Sequence, residues 1–343
     1  MASLSEPLPT VRPQKPTPPE ASWRRELRDA VRDPAELCRL LDLPVELALR
    51  IGGPRFPLRA PRPFVARMRS GDRNDPLLRQ VWPDLAEDQP PAAGYSADPV
   101  GDLASTVTPG LLHKYHGRAL LIATSSCAIH CRYCFRREFP YNANTLANQG
   151  WSEPLEAIAA DPTIEEVILS GGDPLTLVDE TLARLVEQLE SIEHVRRLRI
   201  HTRLPIVLPS RVTDGLVRTL ADSRQTVITV VHANHANELD AEVAAALAKL
   251  RNASPMLLNQ SVLLRGVNDS AAALADLSRR LVQLGVAPYY LHLLDKVVGA
   301  GHFAVDNQQA ERLIDALRRQ LPGYAVPRLA REDAGAPHKT IIA

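Results

Sequence analysis

Three thiols fall within eight positions: Cys127, Cys131 and Cys134, in the stretch CAIHCRYCFRR. Sulfur ligands at CxxxCxxC spacing on one short loop suit a soft metal centre. Residue types alone leave two fillings open. A [4Fe–4S] cluster held by three cysteines keeps one iron open for a small molecule. A zinc ion needs a fourth ligand, and His130 could supply it, although its adjacency to Cys131 makes simultaneous tetrahedral ligation awkward. A disulfide framework fits poorly, because three of only four cysteines are clustered. Reduced thiols point to the cytoplasm.

Those thiols need a scaffold. The chain has 343 residues, 45% of them hydrophobic, enough for one large core with a smaller appendage. Lys+Arg and Asp+Glu balance at 40 each, so no strong field favours nucleic acid or an anionic membrane. No apolar run approaches the roughly 20 residues of a membrane span. The opening MASLSEPLPTVRPQKPTPPE lacks the apolar core of a signal peptide, and residues 1–20 read as a disordered, proline-rich tail. Residues 21–110, with their Pro, Gly and Asp, read as a mostly helical cap.

From about residue 118 short apolar runs alternate with amphipathic ones. Strands are expected at 119–125, 165–172, 197–202, 225–233, 255–264 and 287–295, and helices near 152–160, 178–190, 210–222, 238–251, 270–284 and 306–320. Six right-handed βα units curl into a partial (βα)6 TIM-like barrel; a doubly wound open sheet is the alternative. The expected core spans 111–322, with a C-terminal segment at 323–343. The polar motifs sit at strand ends, where barrels place their active-site rim. The cysteine loop follows the first strand and SGGDP (170–174) the second. His201 and Arg203 end the third, His232 the fourth; Asn259 and Gln260 lie late in the fifth, and Asp295 closes the sixth.

A CxxxCxxC loop after the first strand of such a barrel resembles the radical S-adenosylmethionine superfamily, and SGGDP resembles its second motif. More specifically, HKYHGRALLIATSSCAIHCRYCFRR, TRLPIVLPSRVT, HANHANEL, NQSVLLRGVND, YYLHLLDKVVGAGHF and GAPHKT are together similar to the lysine 2,3-aminomutase family, over about residues 105–340. The proline-rich start and REDAGAPHKT resemble the branch that serves elongation factor P. Ser270 stands where catabolic relatives place a zinc cysteine, so the resemblance implies no structural zinc.

The resemblance implies a [4Fe–4S] cluster on Cys127, Cys131 and Cys134, S-adenosylmethionine, and pyridoxal 5′-phosphate. An amino shift needs the migrating nitrogen held as an imine, and pyridoxal phosphate needs a lysine. Of five lysines, Lys15 falls in the tail, Lys249 on an expected helix surface and Lys114 before the first strand. Lys296 and Lys339 remain, and the resemblance selects Lys339. It also implies Arg118 on the cofactor phosphate, with Gly171, Gly172, Asp173, His201, Arg203, His232 and Gln260 as cofactor contacts. Arg136 is implied to take the substrate carboxylate. Asp295, with Glu332 or its neighbour Asp333, takes the far ammonium group. A carboxylate at 295 excludes an acidic substrate and favours L-lysine. The implied product is (R)-β-lysine, destined for an elongation factor P lysine ligase, with reduced flavodoxin or ferredoxin as electron donor. A free-standing aminomutase and a non-catalytic metal-binding protein are the alternatives.

Overall fold

Runs such as EVILSG can be strands only if both faces are covered, and the fold covers them. The computed structural model describes residues 22–53, 56–141 and 150–343; the expected tail at 1–20 lies outside the described residues. Glu166–Gly171 is buried at every position, and Thr226–Val231 at all but its first. This is the signature of a parallel sheet under a layer of helices.

Ten strands form one sheet in strictly sequential order. They are β1 Thr106–Thr108, β2 Leu111–Tyr115, β3 Arg118–Thr124, β4 Glu166–Gly171, β5 Arg197–Thr202, β6 Thr226–Val231, β7 Met256–Val262, β8 Ala287–His292, β9 Arg328–Arg331 and β10 Thr340–Ile341. From β3 to β9 all neighbours are parallel. A doubly wound sheet reverses its strand order midway; this one does not, so the partial barrel stands.

The six expected units are present as β3–β8 with helices Ser152–Ala160, Asp179–Glu190, Asp214–Ala221, Ala241–Arg251, Ala271–Gln283 and Asn307–Arg318. Four of these helices begin the same way: Thr213, Asp240, Ser270 and Asp306 each accept a hydrogen bond from the backbone N–H three residues on. Such caps satisfy amides that a helix start leaves orphaned. Ser270 thus has a plain structural use. The additions lie at the edges. The β1–β2 hairpin pairs antiparallel with β3, and β10 pairs antiparallel with β9.

Before the sheet, the chain makes short helices, including Ser22–Arg28, Pro34–Leu40, Arg62–Val65 and Pro76–Arg79. Asp33 and Asp75 cap two of them, each with Pro at the first helical position. Trp23, Leu37, Phe64 and Leu77 share one core cluster with Leu182, Leu185 and Leu216 from the barrel helices. The N-terminal segment is therefore packed into the barrel's own core.

Candidate active site

The cysteine loop leaves the carboxyl end of β3 and is clamped from outside by the N-terminal segment. His130 N donates to Arg59 O and Arg132 N to Gln80 O, both at 2.9 Å. The His130 ring stacks on Phe56 at 4.9 Å, with Nδ1 at 2.7 Å from Pro57 O. This commits His130 to the N-terminal segment. Among the described residues no three His, Cys, Asp or Glu side chains come close enough to share one metal ion. Three thiols spread over one loop fit the separate corners of an iron–sulfur cluster better than a single tetrahedral zinc. Burial, then the charge of Cys134, pushes the Cys127 thiol well up; burial, then Cys131, pushes Cys134 up to about 11. Ligation to a metal centre would relieve both.

The loop after β4 needs its two glycines. Gly171 has φ +114°, and a Cβ there would meet Thr124 O at 2.5 Å; at Gly172 it would meet Ser126 O at 2.3 Å. Without side chains the two loops close, Gly172 N donating to Thr124 O at 2.8 Å and Asp173 N to Ser126 O at 2.7 Å. The Asp173 carboxylate accepts from Leu175 N, Thr202 Oγ1, Arg203 N and Leu204 N at 2.7–3.1 Å. It ties the β4 loop to the β5 loop. All four of these donors come from the protein, two of them backbone amides at the start of the β5 loop.

The two arginines after the cysteines diverge. Arg137 turns outward to Glu87, Nη2 to Oε2 at 2.7 Å, and Arg132 joins the same fully buried carboxylate. Arg136 turns inward. Its Nε donates to Asp102 Oδ2 at 2.7 Å and its Nη1 to Ser170 Oγ at 3.1 Å. Nη2 has no hydrogen-bond partner among the described residues.

From Arg136 a line of alternating charges runs to the C-terminus. Lys114 Nζ lies 2.6 Å from Asp102 Oδ1 and 2.9 Å from Glu332 Oε1. Lys339 Nζ lies 2.7 Å from Glu332 Oε2. Burial opposes ionisation of Glu332, but Lys339 and Lys114 outweigh it and pull its carboxyl down to about 2. Asp102 is likewise held below its ordinary range by Arg136 and Lys114 against its burial.

The Asp295 carboxylate faces the same line with no hydrogen-bond or ion-pair partner among the described residues. Burial pushes its carboxyl up to about 7; Lys339 counters and Glu332 adds to it. His201 and His292 are held neutral, by burial first and then by nearby cations that include Lys339. His201 Nε2 is buried with no hydrogen-bond partner among the described residues. Gln260 makes no side-chain hydrogen bond among the described residues. His232 is engaged: its Nε2 is 2.8 Å from Tyr133 Oη. Arg203 donates to Cys131 Sγ at 2.7 Å. Arg118 lies over the Tyr115 ring at 4.6 Å and has no carboxylate partner among the described residues. Burial first, then the Glu332 carboxylate, pushes the Tyr115 hydroxyl up.

Asp333 points elsewhere, accepting from Arg331 Nε and Thr340 Oγ1 at 2.7 Å each, and so staples the β9–β10 hairpin. Lys296 is exposed beside Gly94, and Lys249 pairs with Asp214 on a helix surface. The sequence reading set Lys114 aside and passed over Asp102 and Gln80. Lys114 lies on β2, a strand hidden because LLHKY is too short and polar at its end to show periodicity.

A sequential partial barrel with a three-thiol loop after its first parallel strand is the arrangement of the radical S-adenosylmethionine class. A family described as a 4Fe-4S single cluster domain matches residues 116–200, which include that loop. The chain is 51% identical to an L-lysine 2,3-aminomutase of Escherichia coli, over 94% of this chain and 95% of that one. It is 46% identical to the enzyme of the same name from Haemophilus influenzae, over 97% and 99%. It is 34% identical to that of Clostridium subterminale, over 93% and 77%. A radical SAM methyltransferase from Sphaerobacter thermophilus superimposes with a TM-score of 0.48 at 21% identity, covering 64% of this chain and 68% of that one. The chain belongs to the lysine 2,3-aminomutase family, a family of isomerases. No helix among the described residues is long and apolar enough to cross a membrane.

Proposed function

We propose that this chain converts L-α-lysine to (R)-β-lysine in a pyridoxal phosphate-dependent radical reaction, and that the product serves a ligase that modifies elongation factor P. The supporting observation is the charge line Arg136–Asp102–Lys114–Glu332–Lys339, with Asp295 facing it unpaired. It offers one positive end and one negative end to a substrate carrying opposite charges. When bound, the cluster and S-adenosylmethionine supply a hydrogen-abstracting carbon radical, and pyridoxal phosphate supplies the carbonyl that holds the migrating nitrogen.

Cys127, Cys131 and Cys134 hold the cluster. The Gly171–Gly172 backbone, His201, His232 and Gln260 would contact S-adenosylmethionine, and Arg118 would take the phosphate of pyridoxal phosphate. Arg136 has spent Nε and Nη1 on Asp102 and Ser170, so Nη2 is the donor left for the substrate carboxylate. Asp295 receives the ε-ammonium group. Lys339 would hold pyridoxal phosphate, and Glu332, which Lys339 and Lys114 neutralise, would join Asp295 at the ammonium end of the substrate. Fixing both ends holds the reacting carbon in one geometry, which a radical step requires.

The test is an anaerobic reaction of reconstituted protein with S-adenosylmethionine, pyridoxal phosphate, a reductant and carbon-labelled L-lysine, read by NMR. β-Lysine is the expected product. If 5′-deoxyadenosine accumulates without it, the substrate is wrong; if neither forms on a verified cluster, the catalytic reading fails. Co-expression with the ligase and elongation factor P, followed by mass spectrometry of the factor, tests the destination.

A further inference from the structure

We infer that Arg203 sets the reduction potential of the cluster, and that Gln80, from the N-terminal segment, positions it there. The inference rests on the reading of the thiol loop as a cluster site. Arg203 Nη1 lies 2.7 Å from Cys131 Sγ. Its Nη2 donates to Gln80 Oε1 at 2.6 Å and Glu238 Oε2 at 3.0 Å. The guanidinium lies over Phe64 at 5.3 Å and Tyr133 at 5.8 Å. Four residues from three parts of the chain therefore fix one cation against one sulfur.

Gln80 is the hub of that arrangement. It is 0% exposed. Its Oε1 also accepts from Asn234 Nδ2 at 3.0 Å and Tyr133 Oη at 3.2 Å, and its Nε2 donates to Glu238 Oε1 and Pro76 O, each at 3.1 Å. Its backbone carbonyl accepts from Arg132 N, inside the cysteine loop. One residue thus holds both the ligand loop and the cation that touches it. Glu238, 0% exposed, sits on the Nη2 side, so the buried ion pair presents its positive end to Cys131. The potential of an iron–sulfur centre rises with hydrogen bonds to its sulfurs and with positive charge nearby, because both favour the more negative reduced state. The N-terminal segment, on this account, is a working part of the redox site.

The test is redox titration of reconstituted protein, followed by electron paramagnetic resonance without S-adenosylmethionine or lysine. Iron and sulfide content first establishes that the parent holds a cluster; if it holds none, the cluster reading fails and not this inference alone. Arg203→Met is expected to titrate at a more negative midpoint than the parent. Gln80→Met, which keeps the arginine but removes its anchor, is expected to shift the same way by less. Arg203→Lys covers the case in which the methionine variant does not assemble, and it too is expected to titrate below the parent, since its single short ammonium cannot span Cys131, Gln80 and Glu238. Midpoints equal to the parent in the variants that assemble overturn the inference, as would a shift in the positive direction.

Discussion

Lys339 Nζ and Glu332 Oε2 lie 2.7 Å apart, seven positions from each other, across the turn between β9 and β10. The contact exists because β10 pairs with β9, Thr340 opposite Arg331. Lys339 is thereby held three-quarters buried. Replacing it by alanine is expected to lower turnover on the order of 10⁴-fold or more, as loss of a covalent catalytic group does. Iron content and the cluster spectrum should not change. Borohydride reduction followed by peptide mapping should find the pyridoxyl label at Lys339 in the parent and nowhere in the variant; a label elsewhere in the parent refutes the assignment.

Asp295 makes a pH-dependent prediction. Its folded carboxyl, at about 7, lies above the ordinary 3.8. Below about pH 4 the cost is small, because the carboxyl is largely protonated in folded and unfolded chains alike. Between there and about pH 7 the unfolded chain ionises while burial keeps the folded carboxyl protonated, so stability falls across that window and levels off above it. Asp295→Asn should therefore match the parent at pH 4 and melt higher at pH 8, without ligands. With cofactors and lysine present the order reverses, and kcat/KM for lysine drops on the order of a hundredfold or more. A variant that melts lower at pH 8 would show that Asp295 has a structural partner.

The barrel was legible because its strands are apolar runs and its helices amphipathic, and the six units fall where periodicity places them. The strands flanking the six units were not. β2 and β9 owe their existence to pairing with neighbours, a tertiary effect that short polar-ended segments do not announce. The same difference runs through the site. The thiol loop and the glycine turn are sequence-local and easily read. The charge line joins residues up to 218 positions apart, Lys114 to Glu332, and only folding puts them together. The paired arginines show the limit most plainly: nothing in CFRR says that Arg136 faces inward while Arg137 clasps Glu87. Likewise Glu332 and Asp333 are equal on paper until the hairpin turns one inward and uses the other as its staple.

Lys114 bridges the buried carboxylate of Asp102 and the half-buried one of Glu332, so its loss should be felt as stability as well as activity. Lys114→Met leaves Asp102 to Arg136 and Glu332 to Lys339. Breaking a buried ion pair from one side costs about 3–5 kcal/mol, and the partial exposure of Lys114 places this case near the lower figure. The penalty has a defined pH window. Glu332 contributes stability above its ordinary 4.5 and loses it as pH falls toward its folded value of about 2. Thermal melts of parent and variant should therefore differ most above about pH 4.5 and converge in acid. A constant difference across that range would mean that Lys114 acts by packing its stem and not by its charge.

Gly172 tests whether the contact between the β3 and β4 loops matters to the cofactor rather than to folding at large. A methyl group there must push Ser126 O away from 2.3 Å, and Ser126 directly precedes Cys127. Forcing an extra methyl into such a contact costs about 1–3 kcal/mol, so Gly172→Ala should still fold and assemble a cluster. Its ligand loop is displaced, however, and the turn proposed to face S-adenosylmethionine moves with it. The change in the cluster's electron paramagnetic resonance signal on adding S-adenosylmethionine should require a higher concentration than in the parent. Gly323→Ala is the control, since nothing lies within 4 Å of a Cβ at that position, and its titration should overlay the parent's. If Gly172→Ala overlays it too, the glycine is a feature of the turn alone.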